Sequence, residues 1–362
     1  MNNNILLDNI IFSLQKSGGI SVVWQEHISR LVKNPDFSCQ FIEYDDALEN
    51  IFRKNIDIPG EYVKTLSSRY LQIKRYFNVK GAGYSKPYIF HSSYYRIDTN
   101  KFAKNITTLH DFNYEYFIKG IRKKIHSYQK GFAINNSDAI ICISDSTRRD
   151  LFHFYPHINK DIVHVVHNGV NPDFHRIGKG NYRLSLPFEE GGFILYVGGH
   201  HAPYKNFNLA VEVCQSLRIP FVIAGGEQLL EQEKAVLDSK LGKSNYIHLW
   251  NLPTADLNEL YNRALVLVYP SLYEGFGIPI LEAQRAGCPV IAFAVSSIPE
   301  VMGKTDFLLE DKTVDAVVEA IKELVNRPSL KDEEIKRGLS NSELFSWDRT
   351  FEKTIEVYKS VL

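Results

Sequence analysis

Leu265-Val-Leu-Val-Tyr269-Pro-Ser271-Leu-Tyr-Glu274-Gly-Phe276-Gly277-Ile278-Pro279-Ile-Leu-Glu282-Ala-Gln-Arg-Ala286 is the most informative stretch of the chain. Leu265–Tyr269 is a short apolar run rich in valine, which reads as a buried strand. Ile280–Ala286 carries a helical pattern, and Pro279 suits its first turn. Gly275 and Gly277 let the backbone of the intervening loop come close to a ligand. The N–H groups of Phe276, Gly277 and Ile278 then point outward from the positive end of the helix, a seat for phosphate. Glu274 lies in the loop and Glu282 in the helix. Two carboxylates at that separation could hold two hydroxylated parts of one extended ligand, such as a sugar on one side of a diphosphate and a ribose on the other.

Outward from this stretch the same alternation recurs. Ile5–Phe12 reads as a strand and Ser17–Lys33 as a helix opened by Gly18 and Gly19. Phe37–Tyr44, Tyr88–His91, Ile106–Leu109, Ala139–Ile143 and Ile162–Val166 read as further strands. Asn168-Gly169 is a turn signal, and the residues to about Gly192 hold Pro172, Gly178, Gly180 and Pro187 without periodicity, so a domain boundary is expected there. A second series follows: strands Phe193–Val197, Phe221–Ala224, Ile247–Leu249, Leu265–Tyr269 and Val290–Phe293, separated by helices. The last helix is expected over Ser346–Leu362. Strands alternating with helices imply βαβ units and mostly parallel sheets. The expected class is α/β, with two doubly wound, Rossmann-like domains over residues 1–175 and 190–345, both offering ligand-binding strand ends to a central cleft.

Composition sets limits on function. The chain has 362 residues, 44% hydrophobic and 23% charged, with a formal net charge of zero. That is globular material for two domains. It gives no bulk attraction for nucleic acid, and no recognition motif accompanies the local charge. Cys39, Cys142, Cys214 and Cys288 lack metal-site spacing and read as reduced, buried thiols. Met1 to Asn4 has neither the basic start nor the apolar run of a signal peptide, and no apolar segment approaches the ~20 residues of a membrane span. A cytoplasmic location is expected.

Glu274 and Glu282, with seven residues between them in EGFGIPILEA, resemble the E-x7-E motif of the retaining GT-B glycosyltransferases of family 4 (glycosyl transferases group 1). The resemblance covers nearly the whole chain. It implies that Glu274 binds hydroxyls of the donor sugar and Glu282 the ribose of a nucleoside diphosphate sugar. Gly18-Gly19 resembles the glycine loop that approaches the diphosphate and acceptor. His110, at the end of a strand, matches a histidine that reaches the donor sugar. Asn168-Gly169-Val170 resembles the turn leaving the first domain, and Phe345-Ser346-Trp347 the start of the helix, here 346–362, that crosses back to it. In Tyr196-Val-Gly-Gly-His-His-Ala-Pro-Tyr-Lys205-Asn206, Lys205 matches the lysine that grips the diphosphate. The family's arginine is absent, and Gly199 or His200 stands in its place; His200 or His201 is expected to donate a hydrogen bond or part of a charge there. Leu252 lies where the family's backbone contacts the nucleobase.

The resemblance implies a catalytic set of His110, Glu274 and Lys205 and retention of anomeric configuration. No aspartate-rich metal signature is evident, so no metal or other cofactor is expected. The expected reaction moves a sugar to a hydroxyl of a glycan or lipid-linked acceptor, in O-antigen, capsule or other cell-surface polysaccharide synthesis. A GT-B epimerase or phosphorylase and a non-catalytic partner subunit remain as alternatives. A nicotinamide dehydrogenase does not fit, since no G-x-G-x-x-G follows the first strand. Arg69, Lys74, Arg75, Lys80, Arg122, Lys123, Lys124 and Lys130, interleaved with tyrosines, suggest docking on an anionic membrane, at the inner face of the cytoplasmic membrane where a lipid-linked acceptor lies.

Overall fold

In a computed structural model that describes residues 3–80, 83–178 and 180–362, every pair of neighbouring strands runs parallel. Met1 and Asn2, where the expected lack of a signal peptide begins, lie outside the described residues. The first sheet has seven strands: β1 Asn3–Asp8, β2 Phe37–Tyr44, β3 Val63–Leu66, β4 Tyr88–Ser92, β5 Ala103–Leu109, β6 Ala139–Cys142 and β7 Val163–Val165. Their order is β3-β2-β1-β4-β5-β6-β7. The second sheet has six strands: β8 Ile194–Val197, β9 Phe221–Ala224, β10 Tyr246–Leu249, β11 Val266–Tyr269, β12 Val290–Phe293 and β13 Leu308–Leu309. Their order, β10-β9-β8-β11-β12-β13, repeats the doubly wound pattern. The two domains together form a GT-B fold.

The central strands bury apolar side chains on both faces because helices cover both sides of a parallel sheet. Ile5 and Leu7 of β1 pack on one face with Ile28 and Leu31 of the helix Gly19–Leu31. Leu6 packs on the other with Ile42, Tyr88 and Phe90. Val357 and Tyr358, from the helix Trp347–Ser360, are buried in the first of these clusters. Tyr358 Oη is bonded at 2.7 Å to His27 Nε2 and at 2.7 Å to His91 Nδ1. Thr350 Oγ1 donates to the His167 carbonyl at 2.7 Å.

The chain accordingly divides into one unit of residues 1–168 with 347–362 and another of 169–346. The first unit ends at Asn168 rather than at residue 175. Within the stretch that reads as an irregular break, Ile177, Arg183 and Leu184 are bonded to the helix Thr254–Arg263 in the second unit. Asn262 Oδ1 accepts from Ile177 N at 2.7 Å, and Glu259 accepts from Arg183 N and Leu184 N at 2.9 and 2.7 Å. Arg263 Nη1 donates to the Leu184 carbonyl at 2.7 Å. Cys142, Cys214 and Cys288 are buried and Cys39 is half-buried, all as free thiols. Among the described residues, no helix is long and apolar enough to cross a membrane.

Candidate active site

The second sheet reverses its direction of growth between β8 and β11, so the loops that leave these two strands diverge and open a crevice at the strand ends. Lys205 comes from the first loop and Glu274 from the second. Lys205 Nζ donates to both carboxylate oxygens, at 2.6 and 2.9 Å. The pair is largely withdrawn from water, with 20% and 10% of the two side chains exposed. Lys205 Nζ also stands 5.8 Å from the ring centre of Tyr269 and 5.7 Å from that of Tyr204. Burial, and next the Glu274 charge, push the Tyr269 phenol well above its ordinary range.

The loop that carries Glu274 is anchored from behind. Its N–H donates to Ser296 Oγ at 2.8 Å, and Ser297 Oγ donates to the carbonyls of Glu274 and Phe276 at 2.9 and 2.8 Å. Phe276 is buried and meets Phe345 edge-on. Gly277 caps the helix Ile278–Arg285 at φ 110°, ψ 49°, a conformation that favours glycine. Glu282 lies in that helix, and Tyr261 Oη donates to its Oε2 at 2.9 Å. Burial drives the Glu282 carboxyl up to about 7, against the lowering effect of the Tyr261 hydroxyl.

His200 and His201 turn toward Glu233 on the helix Glu231–Leu241, with Nε2 atoms 3.4 and 3.1 Å from its carboxylate. The two residues expected to bring positive charge to a diphosphate thus already face a carboxylate. Burial lowers the His200 ring below its usual value, against the raising effect of the Glu233 charge. Leu252 is half-buried in the loop between β10 and the helix Thr254–Arg263.

In the first unit Gly18 precedes the helix Gly19–Leu31 at φ 159°, ψ 163°. A Cβ there would stand 2.6 Å from the Gln15 amide, whereas one on Gly19 meets nothing within 4 Å, leaving that helix start open to approach. His110 follows β5 and lines a cavity of about 40 Å³ with Trp24, His27, His91 and Thr108. That volume holds water, and His110 itself is only half-buried. Burial, and then the Lys130 charge, hold His110 down at about 4, so it offers a neutral imidazole. Lys130 is fully buried, donating at 2.7 Å to Glu115 Oε2 and at 2.9 Å to the Asp111 carbonyl. It is not one of the surface cations.

Tyr261, Ser296 and Ser297 were not anticipated as parts of this arrangement. Ser296 and Ser297 follow β12, a strand end where ligand loops gather, but a Ser-Ser pair is too common to single out. Tyr261 looks like any helix residue until its hydroxyl is seen on Glu282.

The glycosyl transferases group 1 family matches residues 179–340, and the Glycosyltransferase Family 4 description matches residues 18–174. The chain belongs to family 4 of the glycosyltransferases. The O-antigen chain mannosyltransferase B of Escherichia coli is 27% identical over 294 residues, 76% of this chain and 74% of that protein. The serotype-specific mannosyltransferase WbdA of E. coli is 30% identical over 247 residues, 62% of this chain but 29% of its own length. Anabaena HepE, solved with UDP and glucose, superposes with a TM-score of 0.73 at 12% identity over 99% of this chain and 100% of that one. This glycosyltransferase carries Gly18, Gly19 and His110 within one matched segment and Lys205, Glu274 and Glu282 within the other.

Proposed function

We propose that this glycosyltransferase moves a hexose from a nucleoside diphosphate sugar to a hydroxyl of a glycan or lipid-linked acceptor, with retention, in the assembly of O-antigen or a related cell-surface polysaccharide. The observation that carries this reading is the Lys205–Glu274 pair at the reversal of the second sheet, followed at once by a glycine-capped helix bearing Glu282. Lys205 and the N–H groups of Gly277 and Ile278 stabilise charge that develops on the departing diphosphate. Phe276 contributes its backbone to the same loop. Glu274 takes donor-sugar hydroxyls, Glu282 the ribose, and the backbone at Leu252 the base. Gly18 and Gly19 leave space for the diphosphate or acceptor, and His110 accepts or donates one hydrogen bond at the sugar. The leaving phosphate helps deprotonate the acceptor, so no protein base is required; Lys205 and the helix start do at the diphosphate the work of a metal, so none is expected. The mannosyltransferase relatives make mannose the first sugar to try, and the UDP in the Anabaena structure makes uridine one of the bases to include.

The test is a screen of UDP, GDP and dTDP sugars for thermal stabilisation, because a ligand of the native state raises its stability. Proton NMR of the product formed from the stabilising donor then gives its anomeric configuration. An inverted product, or no donor that stabilises, would refute the assignment. Glu282 adds a pH signature. Its carboxyl titrates near 7 when folded against an ordinary 4.5, so ionisation opposes burial as pH rises through that window. Ribose hydroxyls bind the ionised form better. Nucleotide affinity is expected to rise about tenfold from pH 6 to pH 8, and Glu282→Gln to flatten that rise.

The same reading places the enzyme in the cytoplasm, at the inner face of the membrane, and the first unit offers a surface for it. Ile121, Ile125, Tyr128 and Phe132 are exposed along the helix Gly120–Asn135, beside exposed Arg122 and Lys124. Ile73 and Phe77 are exposed near Arg69 and Lys80 in sequence. Each basic residue adds about 1 kcal/mol at an anionic surface, and each inserted isoleucine up to ~1.5–3 kcal/mol. Sedimentation with phosphatidylserine vesicles is expected to show binding that high salt weakens without abolishing. Ile121→Gln with Ile125→Gln should remove the salt-resistant part. No binding at low salt would leave these residues an ordinary solvated face.

A further inference from the structure

The loop after β8 carries a second set of chemically capable groups besides Lys205. The His200 side chain is wholly buried, and neither ring nitrogen has a hydrogen-bond partner among the described residues. An imidazole so placed is costly unless something else satisfies it. Its Nε2 is 3.4 Å from Glu233 Oε2. His201 Nε2 is 3.2 Å from the same oxygen and 3.1 Å from Oε1. The three donors lie within 4.8 Å of one another.

We infer that His200, His201 and Glu233 form a binding site for a single divalent transition-metal ion, with Zn²⁺ the ion their chemistry favours. Two imidazoles and one carboxylate suit zinc and disfavour Mg²⁺ or Ca²⁺, which take oxygen ligands. Zinc bonds of roughly 2.0–2.1 Å in a tetrahedron set neighbouring ligand atoms about 3.3 Å apart. The two nitrogen–carboxylate separations here, 3.4 and 3.2 Å, are already close to that spacing, and the two ring nitrogens lie within 4.8 Å of each other. The ligands are also pre-set. Glu233 Oε2 accepts from Leu230 N at 2.8 Å, fixing the carboxylate at the start of its helix. A Cβ on Gly226 would stand 3.0 Å from His200 Nδ1, so the ring is held against the turn after β9. Glu227 Oε2 lies 3.5 Å from His201 Nδ1, on the far side of that ring, where metal-bound histidines usually meet an outer carboxylate. A three-residue set leaves one corner of the tetrahedron to water.

The ion ties the loop that bears Lys205 to the helix Glu231–Leu241 and performs no step of sugar transfer. The proposal therefore stands or falls apart from the donor assignment. Full-length protein stripped with a chelator is titrated with Zn²⁺ in a calorimeter, and with Co²⁺ while the visible spectrum is recorded. One ion per chain and the intense bands of tetrahedral cobalt are expected. His201→Ala and Glu233→Gln should each lower zinc affinity by more than ~100-fold, and Glu227→Gln by roughly 10-fold, the lesser loss typical of an outer partner. His201 is partly exposed and glutamine preserves the Leu230 cap, so both variants should fold, as circular dichroism will verify. No zinc uptake by the wild-type chain, or equal uptake by the variants, overturns the site.

Discussion

Lys205→Ala is expected to unfold the second unit more readily, by about 3 kcal/mol, and to cripple the enzyme as well. Removing one partner of a buried ion pair leaves the other charge uncompensated, at a cost of roughly 3–5 kcal/mol. The lower end applies because a fifth of the Lys205 side chain still reaches solvent. Glu274, 10% exposed, would then stand beside Tyr269 and Tyr196 without its cation. Adding Glu274→Gln should recover most of the stability, since the stranded charge is then gone. It should not recover turnover, because the diphosphate still lacks its cation. One lost charge-assisted contact is worth about 1.5–3 kcal/mol, so nucleoside diphosphate should bind more weakly while the nucleoside binds as before. Urea denaturation of single and double variants, with calorimetric titration of both ligands, separates the two effects. Equal losses for diphosphate and nucleoside would show that Lys205 faces no phosphate.

An equally large effect is expected at Lys130 in the first unit. Its side chain is 0% exposed and that of Glu115 is 4% exposed. The ammonium also sits 4.5 Å from the ring centre of Phe112 and 5.3 Å from that of Tyr95. Lys130→Met should cost about 3–5 kcal/mol by stranding Glu115. Lys130→Met with Glu115→Leu should be far milder, because apolar groups of similar volume replace a buried pair at little net cost. A double variant no more stable than the single would mean that the pair does more than neutralise itself. The pair also holds the backbone just beyond His110, through the Asp111 carbonyl. Loss of Lys130 removes the smaller of the two influences that depress the His110 ring, while burial, the larger, remains. His110 should therefore still be neutral at pH 7 in either variant, as its NMR titration will show.

Much of this arrangement is legible in the residues themselves. Buried parallel strands are short apolar runs, so the centres of both sheets stand out, from Ile5-Leu6-Leu7 to Val290–Phe293. The loop from Ser271 to Ile278 is legible because glycine, proline and paired glutamates do separate physical work there. Edges are harder. β3 presents half-exposed and exposed residues, and β13 has only two residues, so neither offers a periodic signal. The helix Pro328–Ser342 escapes notice because Gly338 and Ser342 are its buried residues, close-fitting but not apolar. Charge is hardest of all. Lys130 stands among Arg122, Lys123 and Lys124 and looks like one more surface cation, yet the helix turns it inward, onto Glu115. His200 and His201 are adjacent, but one is buried and the other is not. The partner that links them, Glu233, lies on the helix Glu231–Leu241, and only the folded chain brings it to their loop.

The helix Trp347–Ser360 completes a core whose strands belong to the start of the chain, and the whole second unit is spelled between them. During synthesis, residues 169–346 leave the ribosome with all the contacts of their own sheet available, while the earlier unit waits for its last piece. Until Tyr358 emerges, His27 and His91 lack the hydroxyl that joins them, and the apolar surface around Ile28 and Phe37 stays open to water. The later-made domain can thus mature first, while the core of the first unit stays exposed and unfinished until residues 347–360 emerge.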